Sequence, residues 1–330
     1  MAKSQSTRPG EFALIERYFR PLASEQGAFG LVDDAALYSP SQGEELVLTV
    51  DLIAAGVHFM PDDPPVSIAR KALRVNLSDL AAKGAKPVGY LLSLALPEDW
   101  TEDWVREFSR GLAEDQTTFG TELLGGDTTR ASGGTTVSIT AIGSVPKGEM
   151  VHRFGAQPGD AIFVSGTIGD AALGLGIRTG RYTVPEKAAR YLCDRYLHPR
   201  PRLALAALVR AFATSAMDVS DGLVGDLAHI CEASGVGATI EAARVPLSDE
   251  VRALVADDAA LFDVAITGGD DYEILATVSE NRASEFAAEA KSVGVPVTRI
   301  GRITKGEAPP VVLASDGKPL VFQALGHTHF

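Results

Sequence analysis

Apolar residues along this chain switch repeatedly between a helical and a strand-like period, and the switches mark out a series of elements. Residues 11–19 carry Phe12, Ile15 and Phe19 at helical spacing and predict an amphipathic entry helix. Residues 45–50, with Val47, Leu48 and Val50, predict a strand. Pro64 and Pro65 open a helix over 66–83, on which Ile68, Ala72, Val75 and Leu80 fall on related turns, and Gly84 stops it. Residues 88–96 form an apolar run closed by Pro97, and 101–119 a second long helix with Thr101 as its cap. A short strand at 122–124 runs into Gly125-Gly126-Asp127, and 134–145 alternates as another strand.

Between Pro146 and Gly159 the chain turns rich in Pro and Gly, which predicts a domain boundary: residues 1–148 as one domain and 149–330 as the other. Beyond it the pattern predicts a strand at 161–164, helices at 169–179 and 202–212, and a strand at 216–219. A helix at 223–234, strands at 272–278 and 297–303, and a helix at 282–293 between those two strands complete the series. Neither a short-period repeat nor a low-complexity tail is present. The fold class expected is mixed α/β, in two domains.

Composition narrows the function. Of 330 residues, 45% are hydrophobic and 22% charged, which is ordinary for a protein with a real core. The net charge of −13 argues against a nucleic-acid backbone as partner, because that binding relies on Lys and Arg. The same charge opposes ATP unless Mg²⁺ supplies the compensation. Two cysteines, Cys193 and Cys231, lack CxxC spacing and are expected to be buried structural thiols. No apolar leader is visible in residues 1–11, and no apolar run approaches the ~20 residues of a membrane span. The expectation is a cytoplasmic protein with no membrane partner. GxxxxGK[ST], the dinucleotide GxGxxG, GxSxG and the protein-kinase loops are all absent, so ATP, if it binds, uses another architecture.

The acids carry the candidate chemistry. Val32-Asp33-Asp34, Thr49-Val50-Asp51, Asn76-Leu77-Ser78-Asp79, Gly125-Gly126-Asp127, Asp218-Val219-Ser220-Asp221-Gly222 and Gly268-Gly269-Asp270-Asp271 place carboxylates in Gly- or Ser-rich punctuation beside apolar runs. Oxygen donors so placed suit a hard cation. Mg²⁺ in particular is held by one or two carboxylates plus waters and substrate phosphates. An enzyme that handles phosphates through several Mg²⁺ ions is the reading.

In order along the chain, Val32-Asp33-Asp34-Ala35-Ala36-Leu37, Val57-His58-Phe59, Lys71-Ala72-Leu73 with Asn76-Leu77-Ser78-Asp79, Gly125-Gly126-Asp127-Thr128-Thr129-Arg130, Asp218-Val219-Ser220-Asp221-Gly222-Leu223 and Gly268-Gly269-Asp270-Asp271-Tyr272-Glu273, with the opening Gly10-Glu11-Phe12 and the terminal His329-Phe330, resemble the thiamine-monophosphate kinases. These belong to the superfamily of aminoimidazole-ribonucleotide synthetase. The resemblance covers nearly the whole chain. It implies a two-domain architecture with a nucleotide site between the domains and a homodimer formed through the N-terminal domain. It also implies an ATP-dependent phosphotransferase that converts thiamine monophosphate to thiamine diphosphate, the last step of thiamine diphosphate biosynthesis. Carried over by position, Asp34, Asp51, Asp79, Asp127, Asp218 and Asp221 would hold Mg²⁺, with Thr49 and the Val50 carbonyl assisting. Gly126, Asp127, Arg153 and Ser220 would touch ATP, and His58, Asp270 and His327 would face thiamine monophosphate. Direct in-line transfer assisted by metal would need no general base. Three positions depart from the family pattern: Val32 replaces a Gly, Asp270 a Glu, and His327 an aromatic ring.

Plainer readings stand beside these. Asp79 also suits an ion pair with Lys83 one turn on, and Asp221 suits a helix cap. Asp33 reads as a local loop acid, His58 as a core histidine, Arg153 as a pin for the linker and His229 as structural. Among siblings, a selenophosphate synthetase would show a reactive Cys near the N-terminus, yet no Cys precedes Cys193. A hydrogenase-maturation relative would end in Cys, whereas this chain ends His327-Thr328-His329-Phe330. A nucleotide-sensing module or a metal-dependent phosphohydrolase is separated from a kinase by turnover and by the acceptor.

Overall fold

The computed structural model describes residues 9–322 and 324–326. The chain divides into two compact units, one formed by the chain up to Asn76 with Pro87–Ser144, the other by Leu77–Lys86 with Val145–Phe330. The division after Ser144 lies four residues before the expected boundary. The helix Pro65–Ala82 is the unexpected feature, since its last turn counts with the second unit.

The first unit holds a four-stranded sheet in the order β1-β4-β2-β3, where β1 is Glu44–Ala54, β2 Lys86–Leu96, β3 Glu122–Arg130 and β4 Thr136–Pro146. The helix Glu102–Phe119 starts where the Thr101 hydroxyl accepts the Trp104 N–H at 3.1 Å, and stops at Gly120 with φ 65°. Its Gly111 allows close approach, since a Cβ there would lie 2.7 Å from the Val66 carbonyl oxygen. The entry helix begins as α over Glu11–Leu14 but continues as π over Ile15–Phe19. That winding buries Leu14 and Phe19, five apart, and leaves Phe12 84% exposed rather than on the packed face.

The second unit holds a six-stranded sheet in the order β10-β7-β9-β5-β8-β6. Its strands are β5 Ala161–Ser165, β6 Ala213–Asp218, β7 Gly237–Glu241, β8 Ile274–Val278, β9 Val297–Thr304 and β10 Val311–Leu313. All neighbours are antiparallel except β10 with β7. Every residue of β5 and β8 is buried, as expected of central strands covered on both faces. The core around Ile162, Val164, Val219, Leu223, Leu227 and Ile300 anchors the helix Leu223–Ser234 against this sheet.

Among the described residues, no helix is long and apolar enough to cross a membrane.

Candidate active site

In the first unit, three expected acids sit on or beside the sheet. β3 continues through Gly125-Gly126-Asp127 to Arg130 instead of ending at 124. The parallel pairing with β2 explains why: after a bulge at Leu124 it sets Asp127 opposite Ser93. Gly126 passes so close to β2 that a Cβ would lie 1.8 Å from the Leu92 carbonyl oxygen. Both glycines therefore lie within a strand and not in a turn, and Gly126 is the place of close backbone approach. The loop carrying Asp33 and Asp34 is pinched shut by the Leu37 N–H donating to the Gly27 carbonyl at 2.8 Å. Left-handed backbone falls on Phe29, Gly30 and Leu31, whereas Val32 has φ −104°, so this position makes no demand for glycine. The loop brings Asp33 and Asp34 to one cavity with Gly126 and Asp127, of about 670 Å³, walled for the most part by apolar side chains such as Phe19, Leu91 and Ile142.

Thr49 and Asp51 lie on β1, and between them Val50 turns its side chain outward, 61% exposed. Asn76, a residue given no role from sequence, ties this strand to the helix Pro65–Ala82. Its Oδ1 accepts the Asp51 N–H at 3.0 Å while its Nδ2 donates to the Ala72 carbonyl at 3.0 Å. The amide is fully buried, so both of its polar atoms need the partners they have. His58 closes the turn after β1: its Nδ1 accepts the Ala54 N–H at 3.2 Å, which assigns the ring proton to Nε2. The buried Lys71 ammonium holds the His58 carbonyl at 2.9 Å. This histidine is positioned from both its ring and its backbone.

In the second unit, Asp218 ends β6 and is buried, opposite Ile274 on β8. The next residues are zipped to the loop carrying Asp270. Val219 N–H donates to the Glu273 carbonyl, Tyr272 N–H to the Val219 carbonyl, and Asp270 N–H to the Ser220 carbonyl, each at 2.8 Å. Asp221 does not cap the following helix, contrary to the plainer reading of that residue; Gly222 stands at the cap with φ 111°. The reverse holds: Asp226, in the helix's first turn, reaches back so that its Oδ2 accepts the Ser220 and Asp221 N–H groups at 2.9 and 3.0 Å. Burial pushes the Asp226 carboxyl up to about 7, although these two hydrogen bonds pull the other way.

Asp79 and Lys83 occupy the last turn of the helix Pro65–Ala82 and the residue beyond it. Lys83 Nζ donates to the Ala216 carbonyl at 2.8 Å, two residues before Asp218. Burial pulls the Lys83 ammonium below its ordinary range, while the charges of Asp218 and then Asp79 support it and that of Arg153 opposes it. Arg153 itself is exposed, between His152 and Phe154, whose rings stack 4.5 Å apart. Gly326 packs on the Asp221 loop, where a Cβ would lie 2.8 Å from the Asp221 carbonyl oxygen. His327 lies outside the described residues.

Behind Asp270 lies a buried ionic layer that sequence reading missed. Asp271 accepts the Gly169 and Ala171 N–H groups at 2.7 and 3.3 Å, and burial pushes its carboxyl well above the usual range. Glu273 accepts the Ser165 hydroxyl at 2.6 Å, Arg195 Nη2 at 2.9 Å and Arg202 Nε at 2.6 Å. Asp271 and Glu273 are thus fixed by the fold, which leaves Asp270 as the acid of this motif set on the loop's more open side, half-buried.

Among the described residues, no group of three or more His, Cys, Asp or Glu side chains is gathered so as to hold a metal ion by itself. The six expected ligands divide evenly: Asp34, Asp51 and Asp127 in the first unit, Asp79, Asp218 and Asp221 in the second. Cys193 and Cys231 are free thiols, and burial pushes Cys231 up to about 11, in keeping with a structural role.

Comparison with known proteins shows the family. Residues 32–145 match the AIR synthase related protein, N-terminal domain, and residues 157–313 match its C-terminal domain. The chain is 42% identical over 324 residues to the thiamine-monophosphate kinase of Escherichia coli (strain K12), covering 97% of this chain and 98% of that one. A crystal structure of thiamine-monophosphate kinase from Stenotrophomonas maltophilia K279a superposes with a TM-score of 0.82 at 41% identity, covering 94% of this chain and 98% of that one. A structure of AaThiL complexed with AMPPCP and TMP gives a TM-score of 0.77 at 32% identity, covering 99% and 100%. The chain belongs to the AIR synthase related family and, within it, to the thiamine-monophosphate kinases.

Proposed function

We propose that this chain transfers the γ-phosphoryl group of ATP to the phosphate of thiamine monophosphate, forming thiamine diphosphate and ADP. The observation that carries the reading is the first-unit cavity, where apolar walls meet the Asp34 and Asp127 carboxylates and the close-set Gly126 backbone. Such a lining suits a flat base with an anionic, metal-bearing tail. The complex of AaThiL with AMPPCP and TMP supports the same pair of ligands.

The donor set fits Mg²⁺. It is all oxygen, it comes in ones and twos, and Mg²⁺ fills its remaining positions with waters and phosphate oxygens, so no closed cage of side chains is needed. Asp34, Asp51 and Asp127 would hold it in the first unit, with Thr49 and the Val50 carbonyl, and Asp79, Asp218 and Asp221 in the second. Bound there, Mg²⁺ would supply positive charge to offset the repulsion between two phosphates. The protein's own work is positioning. Asn76 fixes Asp51 through its backbone, Asp226 fixes the Ser220-Asp221 turn, and the Lys71-held turn presents His58. Gly126, Arg153 and Ser220 would bear on the nucleotide; His58, Asp270 and His327 on the acceptor. The acceptor phosphate is itself anionic near neutral pH, so transfer is direct, in line and without a general base.

A homodimer in the cytoplasm completes the reading. It is supported by β1, an edge strand whose Leu48, Val50 and Leu52 are 63%, 61% and 53% exposed on one face. The test of the site is Asp127→Asn. It should remove most turnover while circular dichroism and unfolding midpoint stay near the parent's; near-normal turnover would take Asp127 out of the site.

A further inference from the structure

Asp270 and Tyr272 have φ of 74° and 53°, left-handed backbone that aspartate tolerates and tyrosine rarely adopts. Strain of this kind persists only where the surroundings over-determine it. Here they do. The Asp270 and Tyr272 N–H groups are both bonded to the Val219-Ser220 backbone, and the Tyr272 carbonyl takes the Ser78 hydroxyl at 3.4 Å. Asp271 and Glu273 are anchored in the buried ionic layer on the far side. Gly269 runs tight against the same backbone: a Cβ there would lie 2.1 Å from the Ser220 carbonyl oxygen. The consequence is local: the Tyr272 hydroxyl donates to Asp270 Oδ1 at 3.2 Å, two residues back.

We propose that Tyr272 is a positioning residue for the acceptor: its hydroxyl fixes the orientation of the Asp270 carboxylate that receives the nitrogen-bearing ring system of thiamine monophosphate. The proposal rests on the reading above, in which Asp270 faces the acceptor. A carboxylate held by a donor before the ligand arrives loses less rotamer freedom on binding, and that difference is paid in affinity.

Tyr272→Phe keeps the ring and removes only the donor. The expected result is a rise of about tenfold in KM for thiamine monophosphate, with kcat and KM for MgATP within about twofold and an unchanged unfolding midpoint. In an Asp270→Ala background the same substitution should add nothing, because the two act as one unit. An unchanged KM, equal rises for both substrates, or additive losses in the double variant would overturn the proposal. Asp270→Asn gives a second handle: it retains the acceptor for the hydroxyl and should fall between the parent and Asp270→Ala, and parent-like kinetics would count against the assignment. A parent protein that forms no thiamine diphosphate would overturn the functional reading and this inference with it. An active parent with an unaffected Tyr272→Phe would overturn the inference alone.

Discussion

Asp226 carries as much of the second-unit geometry as any expected ligand, yet it touches the backbone of the site and not its ligands. Its single Oδ2 satisfies two buried-side N–H groups, those of Ser220 and Asp221. Asp226→Asn keeps an acceptor in place and should unfold near the parent's midpoint. Asp226→Leu leaves two donors unpaired and should lose about 1–3 kcal/mol, read by urea unfolding; equal stability of the two variants would show that the contacts carry no weight. Nothing in the sequence separates Asp226 from an ordinary acid in a helix's first turn, because its role exists only once the Ser220-Asp221 turn folds back over it. Asn76 and His58 differ in legibility for the same reason. His58 came to notice through the family resemblance, while the amide of Asn76 became meaningful only through a strand 25 residues earlier in the chain.

At the scale of elements, most helices followed from periodicity and end signals, Thr101 being the clearest cap. The helix Glu186–Leu197, with Ala189, Leu192 and Tyr196 at helical spacing, was equally legible and went unread. Strands that depend on partners were not legible. β7 is five residues long and opens Gly-Ala; it exists because β9 comes close enough that a Cβ on Gly301 would lie 2.0 Å from the Thr239 carbonyl oxygen. β3 ran past its glycines for the same kind of reason. β1 poses the element-scale prediction. An edge strand with an exposed apolar face invites pairing unless it is covered, and a second copy is the proposed cover. Replacing Leu48 and Leu52 together by Lys should convert a dimer to a monomer in light scattering on a sizing column. A parent that is already monomeric at micromolar concentration would contradict the homodimer.

For the molecule as a whole, charge decides which partners are possible. A net charge of −13 sets the protein against any polyanion, and ATP is one. At about 4 Å and an effective dielectric of about 20, one unit-charge pair contributes roughly 4 kcal/mol before desolvation, so metal ions among the carboxylates are enough to reverse the sign. In the proposed reaction the metal is therefore a condition of the chemistry, and a phosphate, not water, is the acceptor. The most direct measurement is to incubate the purified protein with MgATP labelled in the γ-phosphate and thiamine monophosphate, and follow products by chromatography. The expected result is thiamine diphosphate and ADP in one-to-one amounts, label in the new terminal phosphate and none on the protein, and no reaction in excess EDTA. ADP and inorganic phosphate without thiamine diphosphate, or undiminished transfer in EDTA, would contradict it.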